Sequence, residues 1–195
     1  LEEIAAVSAS YAVGVAVTGL PQLILGKFGD DSQRDRWMPG LAAGELLGAF
    51  ALSEPGSGSD AASLTTTATR RDDRYVLRGT KFWITHGSYA DIYVVMARTG
   101  GGGPRGISAF LLPGDTPGLS FGKKEEKMGL RASATVELVL DDCELPASAL
   151  IGREGDGFTV AMTALDSGRI TIGAISVGLA QAAMDVAAAY ATQRK

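Results

Sequence analysis

The residues best suited to bind a ligand begin with a turn rich in serine and glycine. A short apolar run from Phe50 to Leu52 leads into the sequence SEPGSGSD at residues 53–60. Backbone N–H groups exposed in a turn of small residues can surround an anion, and the hydroxyls of Ser57 and Ser59 would add donors. The turn has neither the lysine of a P-loop nor the glycine spacing of a dinucleotide fold. An ordinary surface turn remains the alternative, because glycine and serine are common in turns.

A second candidate lies at the end of a predicted strand, where residues 81–87 read KFWITHG. Side chains alternate along a strand, so Trp83 and Thr85 are predicted on one face and Phe82 and Ile84 on the other. A flat indole beside a hydroxyl suits a planar heterocycle with polar edges. The alternative is that Trp83 is simply a core residue.

A charged residue stands among apolar ones near the C-terminus, where residues 165–170 read LDSGRI. In a helix, Asp166 lies about one turn before Arg169, so the carboxylate can pair with the guanidinium. Alternatively, Arg169 is aimed at an anionic ligand.

Three zones with different residue patterns must position these segments. The first zone, residues 1–47, is predicted to be helical. Ile4, Val7, Tyr11 and Val15 recur at three- and four-residue steps, which predicts one apolar stripe.

Four residues indicate where the helices of this first zone begin and end. Gly19 and Pro21 predict a break. Ser32 is the predicted N-cap of the next helix and Gly44 its predicted end.

Residues 48–152 are predicted to form short strands. Asp72 and Asp73 form a polar turn, which predicts a hairpin between residues 65–71 and 75–85. Further strands are predicted at 91–98, 106–112, 119–123 and 135–140, separated by glycine and proline. This spacing predicts an antiparallel sandwich or barrel. The near absence of helices between the strands excludes a doubly wound nucleotide fold.

From Asp156, the predicted cap of a first turn, the pattern is helical again. Two apolar stripes follow: Phe158, Met162 and Leu165, then Ile175, Leu179, Ala182, Ala183, Val186 and Tyr190. The many Ala and Gly residues would allow close helix packing in a bundle.

The composition limits the classes of function. A net charge of −4 argues against a general nucleic-acid binder. One cysteine, Cys143, and one histidine, His86, exclude an internal disulfide and argue against a Cys- or His-based metal site. The longest apolar run, residues 11–25, is interrupted and shorter than the roughly 20 residues of a membrane span, so a buried helix is predicted.

Taken together and in this order, the segments resemble the acyl-CoA dehydrogenase family. The resemblance rests on LGKFG at 25–29, WMPGLAAGE at 37–45, the 52–60 loop, WIT at 83–85, MGLRAS at 128–133 and GDGF at 155–158. It implies an α+β multidomain fold. Residues 1–48 would end an N-terminal helical domain, 49–154 would form a flavin-binding β middle domain, and 155–195 would begin a C-terminal four-helix bundle.

The resemblance also implies a binding site for FAD. The cofactor-binding candidates are Phe50, Ala51, Leu52, Ser53, Gly58, Ser59, Trp83, Ile84, Thr85 and Arg194. In similar enzymes, Ser53 and Thr85 hydrogen-bond the flavin ring, Trp83 packs against it, and Arg194 reaches the FAD of a neighbouring subunit. Ser59, Asp166 and Arg169 are the candidates for binding the acyl-CoA substrate.

The implied reaction introduces an α,β double bond into an acyl-CoA thioester. A carboxylate removes the α-proton while the β-hydride passes to flavin N5. Most relatives supply this base from a glutamate in the later bundle, expected beyond Lys195. A minority place it at the position of Gly168, which has no side chain for the task. His86 stands where many relatives have Asn, and Ala134 where many have Asp.

Several functions are compatible with this resemblance. A dehydrogenase would pass electrons to an electron-transfer flavoprotein, whereas an acyl-CoA oxidase or flavin monooxygenase on the same scaffold would admit oxygen. A non-catalytic ligand-binding protein could also retain the fold. The resemblance further implies a homo-oligomer (dimer or tetramer), located in the cytoplasm of a bacterium or in the mitochondrial matrix of a eukaryote.

Overall fold

The computed structural model describes residues 1–194, in which helices flank a region of strands on both sides. The helices are α1 (Glu2–Val7), α2 (Ala9–Phe28), α3 (Asp31–Ala43) and α4 (Gly157–Gln193). The strands are β1 (Gly48–Ala51), β2 (Thr67–Arg71), β3 (Arg74–Thr85), β4 (Ile92–Arg98), β5 (Ile107–Pro113), β6 (Leu119–Phe121), β7 (Thr135–Pro146) and β8 (Leu150–Ile151). This order confirms the predicted α+β class.

The first helical zone breaks at a different residue from the one predicted. Ser8 separates α1 from α2 with an extended backbone, and its side chain accepts a hydrogen bond from the Tyr11 N–H. The predicted break at Gly19 and Pro21 is wrong, because α2 continues through both. Pro21 packs so closely on Gly48 that a Cβ on this glycine would lie 2.8 Å from Pro21 Cγ. Tertiary packing of this kind overrides the low helix propensity of proline.

The predicted apolar stripe along this zone is also wrong. Val7, the most exposed of its members, is 90% exposed, and Tyr11 and Val15 are exposed as well. The buried residues are instead Ala5 and Ala12, which pack with Ile175 of α4. The break at Ser8 interrupts the helical period, so residues on either side of it no longer share one face.

Asp30, rather than the predicted Ser32, caps α3. The Asp30 carboxylate accepts a hydrogen bond from the Gln33 N–H at 2.8 Å, and the Gln33 side chain accepts one from the Asp30 N–H at 3.2 Å. This reciprocal capping box selects the residue three positions before Gln33. Gly44 ends α3 with φ 75°, as predicted.

The strands form one mixed sheet in the order β6-β7-β3-β2-β4-β5-β8. Strand β1 joins it by pairing with β4. The predicted hairpin joins β2 to β3, and Asp72 in its turn has φ 52°. Most neighbours are antiparallel, as predicted, but β1 and β2 both run parallel to β4, so the sheet is mixed.

The sheet folds over on itself and encloses a core. The rings of Tyr75 on β3 and Phe110 on β5 have centroids 4.9 Å apart. In a flat sheet these strands would lie roughly 14 Å apart, at about 4.8 Å for each neighbouring pair. The curvature therefore brings the two halves of the sheet together, as in a sandwich.

Strand β4 is buried on both faces and connects the sheet to the helices. Tyr93 and Val95 point into the core between the two halves of the sheet. Val94 points the other way and packs in a cluster with Ile24 of α2 and Val160 of α4. The helices therefore lie against the outer face of β4 and β5.

The C-terminal zone is a single helix of 37 residues, α4. A Cβ on Gly157 would lie 2.5 Å from the backbone of Ser108, so the helix starts directly against β5. Asp156 precedes the helix, but its side chain makes no capping bond and instead pairs with Arg153 at 3.1 Å. Toward its C-terminal end α4 leaves apolar residues exposed, among them Leu179, Val186 and Tyr190.

By length and composition alone, α2 and α4 could each cross a membrane. The same test is passed by core helices of soluble proteins, so it is weak evidence for a span. In the structure, α2 packs against α4, β1 and α3.

Candidate functional site

Six of the predicted flavin residues line one pocket of about 210 Å³. They are Phe50, Leu52, Ser53, Trp83, Ile84 and Thr85. The helices contribute Val17 and Leu20 from α2 and Leu165 from α4. Val17 and Leu20 were not predicted as site residues, because helical periodicity does not tell which helix face meets the end of a strand.

A bulge in β3 turns the strand from its partner β7 toward the serine–glycine loop. Lys81 pairs with Leu138 and Ile84 with Val136, and the register shifts between these pairs. Phe82 therefore has no partner on β7, and its N–H donates instead to the carbonyl oxygen of Ser53 at 2.8 Å. This bond joins the two predicted segments.

The bulge also changes the orientation of Trp83. Its backbone has φ 57°, and its side chain is 60% exposed, so it is not a core residue. The predicted simple alternation is wrong, because Trp83, Ile84 and Thr85 all line the pocket. A left-handed conformation costs a residue other than glycine about 1–2 kcal/mol, and such strain is concentrated at ligand-binding sites.

The serine–glycine turn is closed by its own hydrogen bonds. The Glu54 N–H donates to Ser57 O at 2.9 Å and the Ser57 N–H donates to Glu54 O at 3.0 Å. Ser57 is buried and its hydroxyl donates to Asp60 O at 2.7 Å, so its predicted role as a free donor is wrong. Gly58 and Ser59 are exposed and lie outside the pocket lining.

A buried ion pair lies behind this loop. Lys81 Nζ donates to Glu54 Oε1 at 2.8 Å and to Leu52 O at 3.0 Å. The Glu54 carboxylate also accepts the N–H groups of Thr65 and Thr66 at 2.7 and 3.0 Å. The sequence contains Glu54 and Lys81 inside the two predicted segments, but nothing in their spacing signals the contact.

Burial and pairing have opposite effects on the carboxylate of Glu54. Burial acts to raise its pKa, but the charge of Lys81 and the hydrogen bonds from Lys81, Thr66 and Thr65 outweigh this effect and lower the pKa to about 2. For the partner, burial lowers the pKa of Lys81 more than the charge of Glu54 raises it. Glu54 is therefore ionised at neutral pH, and its charge is held by the protein.

The remaining predicted residues lie outside this pocket. Ala51 is buried in the core between the two halves of the sheet. Asp166 and Arg169 are exposed on α4 and pair with each other at 2.5 Å. Arg194 lies at the C-terminal end of α4 and donates to the Tyr190 hydroxyl at 2.8 Å. At 1.5 Å per residue, Arg194 is on the order of 40 Å along the helix from Leu165.

The pocket residues fit one part of a flavin. The walls are mostly apolar, and neither the Ser53 nor the Thr85 hydroxyl makes a hydrogen bond to another of residues 1–194, so both can donate to a ligand. The volume is below the roughly 300–1,000 Å³ of typical small-molecule pockets. The pocket is therefore large enough for only part of a cofactor-sized ligand.

A second pocket, of about 640 Å³, lies against another face of α2. Its lining includes Tyr11, Thr18, His86 and Ser133. His86 Nε2 lies 2.9 Å from the carbonyl oxygen of Gly14, a contact that joins the strand region to α2. This pocket was not predicted, because its residues come from four segments that are distant in the sequence.

Comparison with known proteins gives matches along the chain. Residues 1–45, 49–143 and 155–195 match the family models described as the N-terminal, middle and C-terminal domains of acyl-CoA dehydrogenase. A Bacillus subtilis (strain 168) protein named acyl-CoA dehydrogenase is 47% identical over 196 residues, covering 100% of this chain and 52% of the relative.

This chain is also similar in structure to solved acyl-CoA dehydrogenases. Butyryl-CoA dehydrogenase from Megasphaera elsdenii superposes with a TM-score of 0.97 and 44% identity, covering 100% of this chain and 51% of that one. A glutaryl-CoA dehydrogenase from Mycobacterium smegmatis, in complex with FADH2, gives a TM-score of 0.87 and 38% identity, covering 94% and 46%. The chain thus spans about half the length of these relatives.

Proposed function

Because the chain belongs to the acyl-CoA dehydrogenase family, we propose that it is part of an FAD-dependent enzyme that introduces an α,β double bond into an acyl-CoA thioester. One observation carries the proposal: Ser53, Trp83 and Thr85, which come from two separate segments, line one pocket with free hydroxyls and an exposed indole. The FADH2 complex of the mycobacterial relative supports FAD as the ligand.

Each of these residues has a proposed role. The hydroxyls of Ser53 and Thr85 would hydrogen-bond the polar edge of the flavin ring, and Trp83 would lie against the ring. FAD, when bound, supplies the acceptor for the hydride. Leu20 and Leu165, which line the same pocket, would exclude water from the reacting atoms.

The acyl-CoA substrate is proposed to lie near the start of α4. Arg169 and Asp166 follow Leu165, which lines the pocket, and Ser59 is exposed on the serine–glycine loop, where it could contact a phosphate of CoA. The base that removes the α-proton is proposed to be a carboxylate beyond Lys195, since Gly168 has no side chain.

The long α4 helix suggests how subunits would share the site. Arg194 is too far along the helix to reach the pocket of its own chain, which supports the proposal that it reaches FAD in a neighbouring subunit. The exposed apolar residues of α4, such as Leu179 and Val186, would be covered in a helical bundle rather than by a membrane. We further propose a homo-oligomer that passes electrons to an electron-transfer flavoprotein, in bacterial cytoplasm or the mitochondrial matrix.

The visible absorbance spectrum of the full-length protein tests this proposal. A dehydrogenase is expected to be yellow, to bleach when an acyl-CoA is added without oxygen, and to regain its colour slowly in air. Rapid return of colour with formation of hydrogen peroxide would indicate an acyl-CoA oxidase. A colourless protein that takes up no added FAD would contradict the proposal and favour a non-catalytic relative.

A further inference from the structure

Glu54 and Lys81 lie behind the pocket wall and are absent from its lining. Both side chains are buried, Lys81 completely. Lys81 Nζ joins two oxygens, one on the carboxylate of Glu54 and one on the backbone of Leu52. Since Leu52 itself lines the pocket, Lys81 contacts a residue of the pocket wall without being exposed in the pocket.

We propose that Glu54 and Lys81 are positioning residues that hold the backbone of Ser53 in register with Trp83, and that this register is required for tight flavin binding. The identity of the ligand rests on the proposed function, whereas the positioning of the two segments does not.

The hydrogen bonds around Ser53 support this role. The carbonyl oxygen before it, on Leu52, accepts from Lys81 Nζ at 3.0 Å, and its own carbonyl oxygen accepts from the Phe82 N–H at 2.8 Å. Two consecutive peptide groups are thus held by two consecutive residues of β3, directly before Trp83. A shift of either segment would break both bonds.

The carboxylate of Glu54 fixes the other side of the loop. Its Oε2 atom accepts from the N–H and the hydroxyl of Thr65 at 2.7 and 2.8 Å. Its Oε1 atom accepts from the Thr66 N–H at 3.0 Å as well as from Lys81. The start and the end of the loop are therefore tied to one buried charge.

That the two buried residues are charged also indicates that their role is to position the loop rather than to stabilise the fold. Replacing a buried ion pair with apolar residues is often neutral or stabilising, because the desolvation cost of two charges offsets their attraction. An apolar pair, however, could not donate to Leu52 O or accept from Thr65 and Thr66. The geometry of the loop would be lost even where stability is kept.

Amide hydrogen exchange on the full-length protein without FAD tests the positioning itself. In Lys81→Met, exchange at the Phe82 and Ser57 amides should accelerate at least tenfold, while the Val95 amide on β4 keeps its protection. The control is Tyr75→Phe, a variant on the same strand as Lys81. It removes the hydrogen bond from the Tyr75 hydroxyl to Glu154. Unchanged exchange at Phe82 in Lys81→Met would overturn the inference.

Flavin binding separates positioning from general stability. Lys81→Met should raise the Kd for FAD at least tenfold and alter the visible circular dichroism of the bound flavin. The double variant Glu54→Leu/Lys81→Met should recover part of the Tm lost in the single variant, because no buried charge is left unpaired, but should keep the raised Kd. If the double variant binds FAD as tightly as the wild type, the pair is only structural and the inference is wrong. If the wild-type protein itself binds no FAD, the proposed function fails, and hydrogen exchange still decides the role of the pair.

Discussion

The amide nitrogen of Phe82 lies 2.8 Å from the carbonyl oxygen of Ser53, and this bond joins two segments that are about thirty residues apart in the chain. It forms because the bulge between Lys81 and Ile84 frees the Phe82 N–H from β7. The same bulge places Trp83 at φ 57° and exposes its ring beside Ser53. One local irregularity in β3 therefore builds the candidate site.

Replacing Trp83 with glycine is expected to separate flavin binding from stability. Loss of the indole should weaken FAD binding by about 1 kcal/mol or more, roughly a fivefold rise in Kd. Glycine adopts φ 57° without strain, which offsets its greater freedom in the unfolded chain. The Tm without FAD should therefore stay within a few degrees of the wild type.

Titration of flavin fluorescence and thermal unfolding of the FAD-free protein measure these two effects. Trp83→Phe should keep much of the FAD affinity that Trp83→Gly loses. The matched control is Trp37→Ala, because Trp37 is the second tryptophan of the chain and lies outside this pocket. An unchanged FAD affinity in Trp83→Gly would contradict the stacking role.

The stability of the protein should fall in acid through the titration of Glu54. The pKa of Glu54 is about 2 in the folded protein, below its ordinary value of 4.5. A lowered pKa means that the unfolded chain takes up a proton first as the pH falls, so stability present above pH 4.5 is lost between pH 4.5 and 2.

Glu54→Gln tests this dependence on pH. The variant should be less stable by about 3 kcal/mol at pH 7, because Lys81 loses its buried partner. The difference from the wild type should shrink between pH 4.5 and 2, as followed by urea unfolding. Glu126→Gln, which removes an exposed partner of Lys123, is the control and should leave the profile unchanged. A constant difference across this range would exclude Glu54 as the titrating group.

Arg169→Ala should affect catalysis without affecting the fold. Arg169 and Asp166 form an exposed pair three residues apart on α4, and such pairs contribute at most about 0.5 kcal/mol. If Arg169 binds the acyl-CoA, kcat/KM should fall at least tenfold while the Tm hardly changes. Lys123→Ala removes a comparable exposed pair outside the site. A wild-type kcat/KM in Arg169→Ala would show that Arg169 pairs with Asp166 but does not bind the substrate.

A glutamate introduced at Gly168 should be able to act as the base. Within residues 1–194, a Cβ on Gly168 would have Leu20 Cδ2 as its nearest neighbour, at 3.9 Å, which leaves room for a side chain. In a full-length protein in which the proposed bundle glutamate has been changed to glutamine, Gly168→Glu is expected to restore measurable turnover of acyl-CoA. Gly173→Glu, at another open position on α4, gains the same helix propensity of up to about 1 kcal/mol and should restore none.

Local patterns predicted the elements whose causes are local. The turn at Asp72 and Asp73 and the helix end at Gly44 were both correct, because short-range sterics decide such turns and caps. The break predicted at Pro21 is wrong because Pro21 packs against Gly48, which lies 27 positions later in the chain.

The patterns along the chain were enough to predict the α+β class, the succession of a helical, a strand-rich and a second helical zone, and the two segments that carry the candidate flavin residues. These follow from periodicity, turn residues and the family resemblance, all of which are written along the chain. The folded structure was needed to show that Trp83 and Ser53 share a pocket, that the Ser57 hydroxyl is already bonded and that Lys81 pairs with Glu54. The physical reason is that strand register and bulges arise from packing between distant segments, which no local pattern encodes.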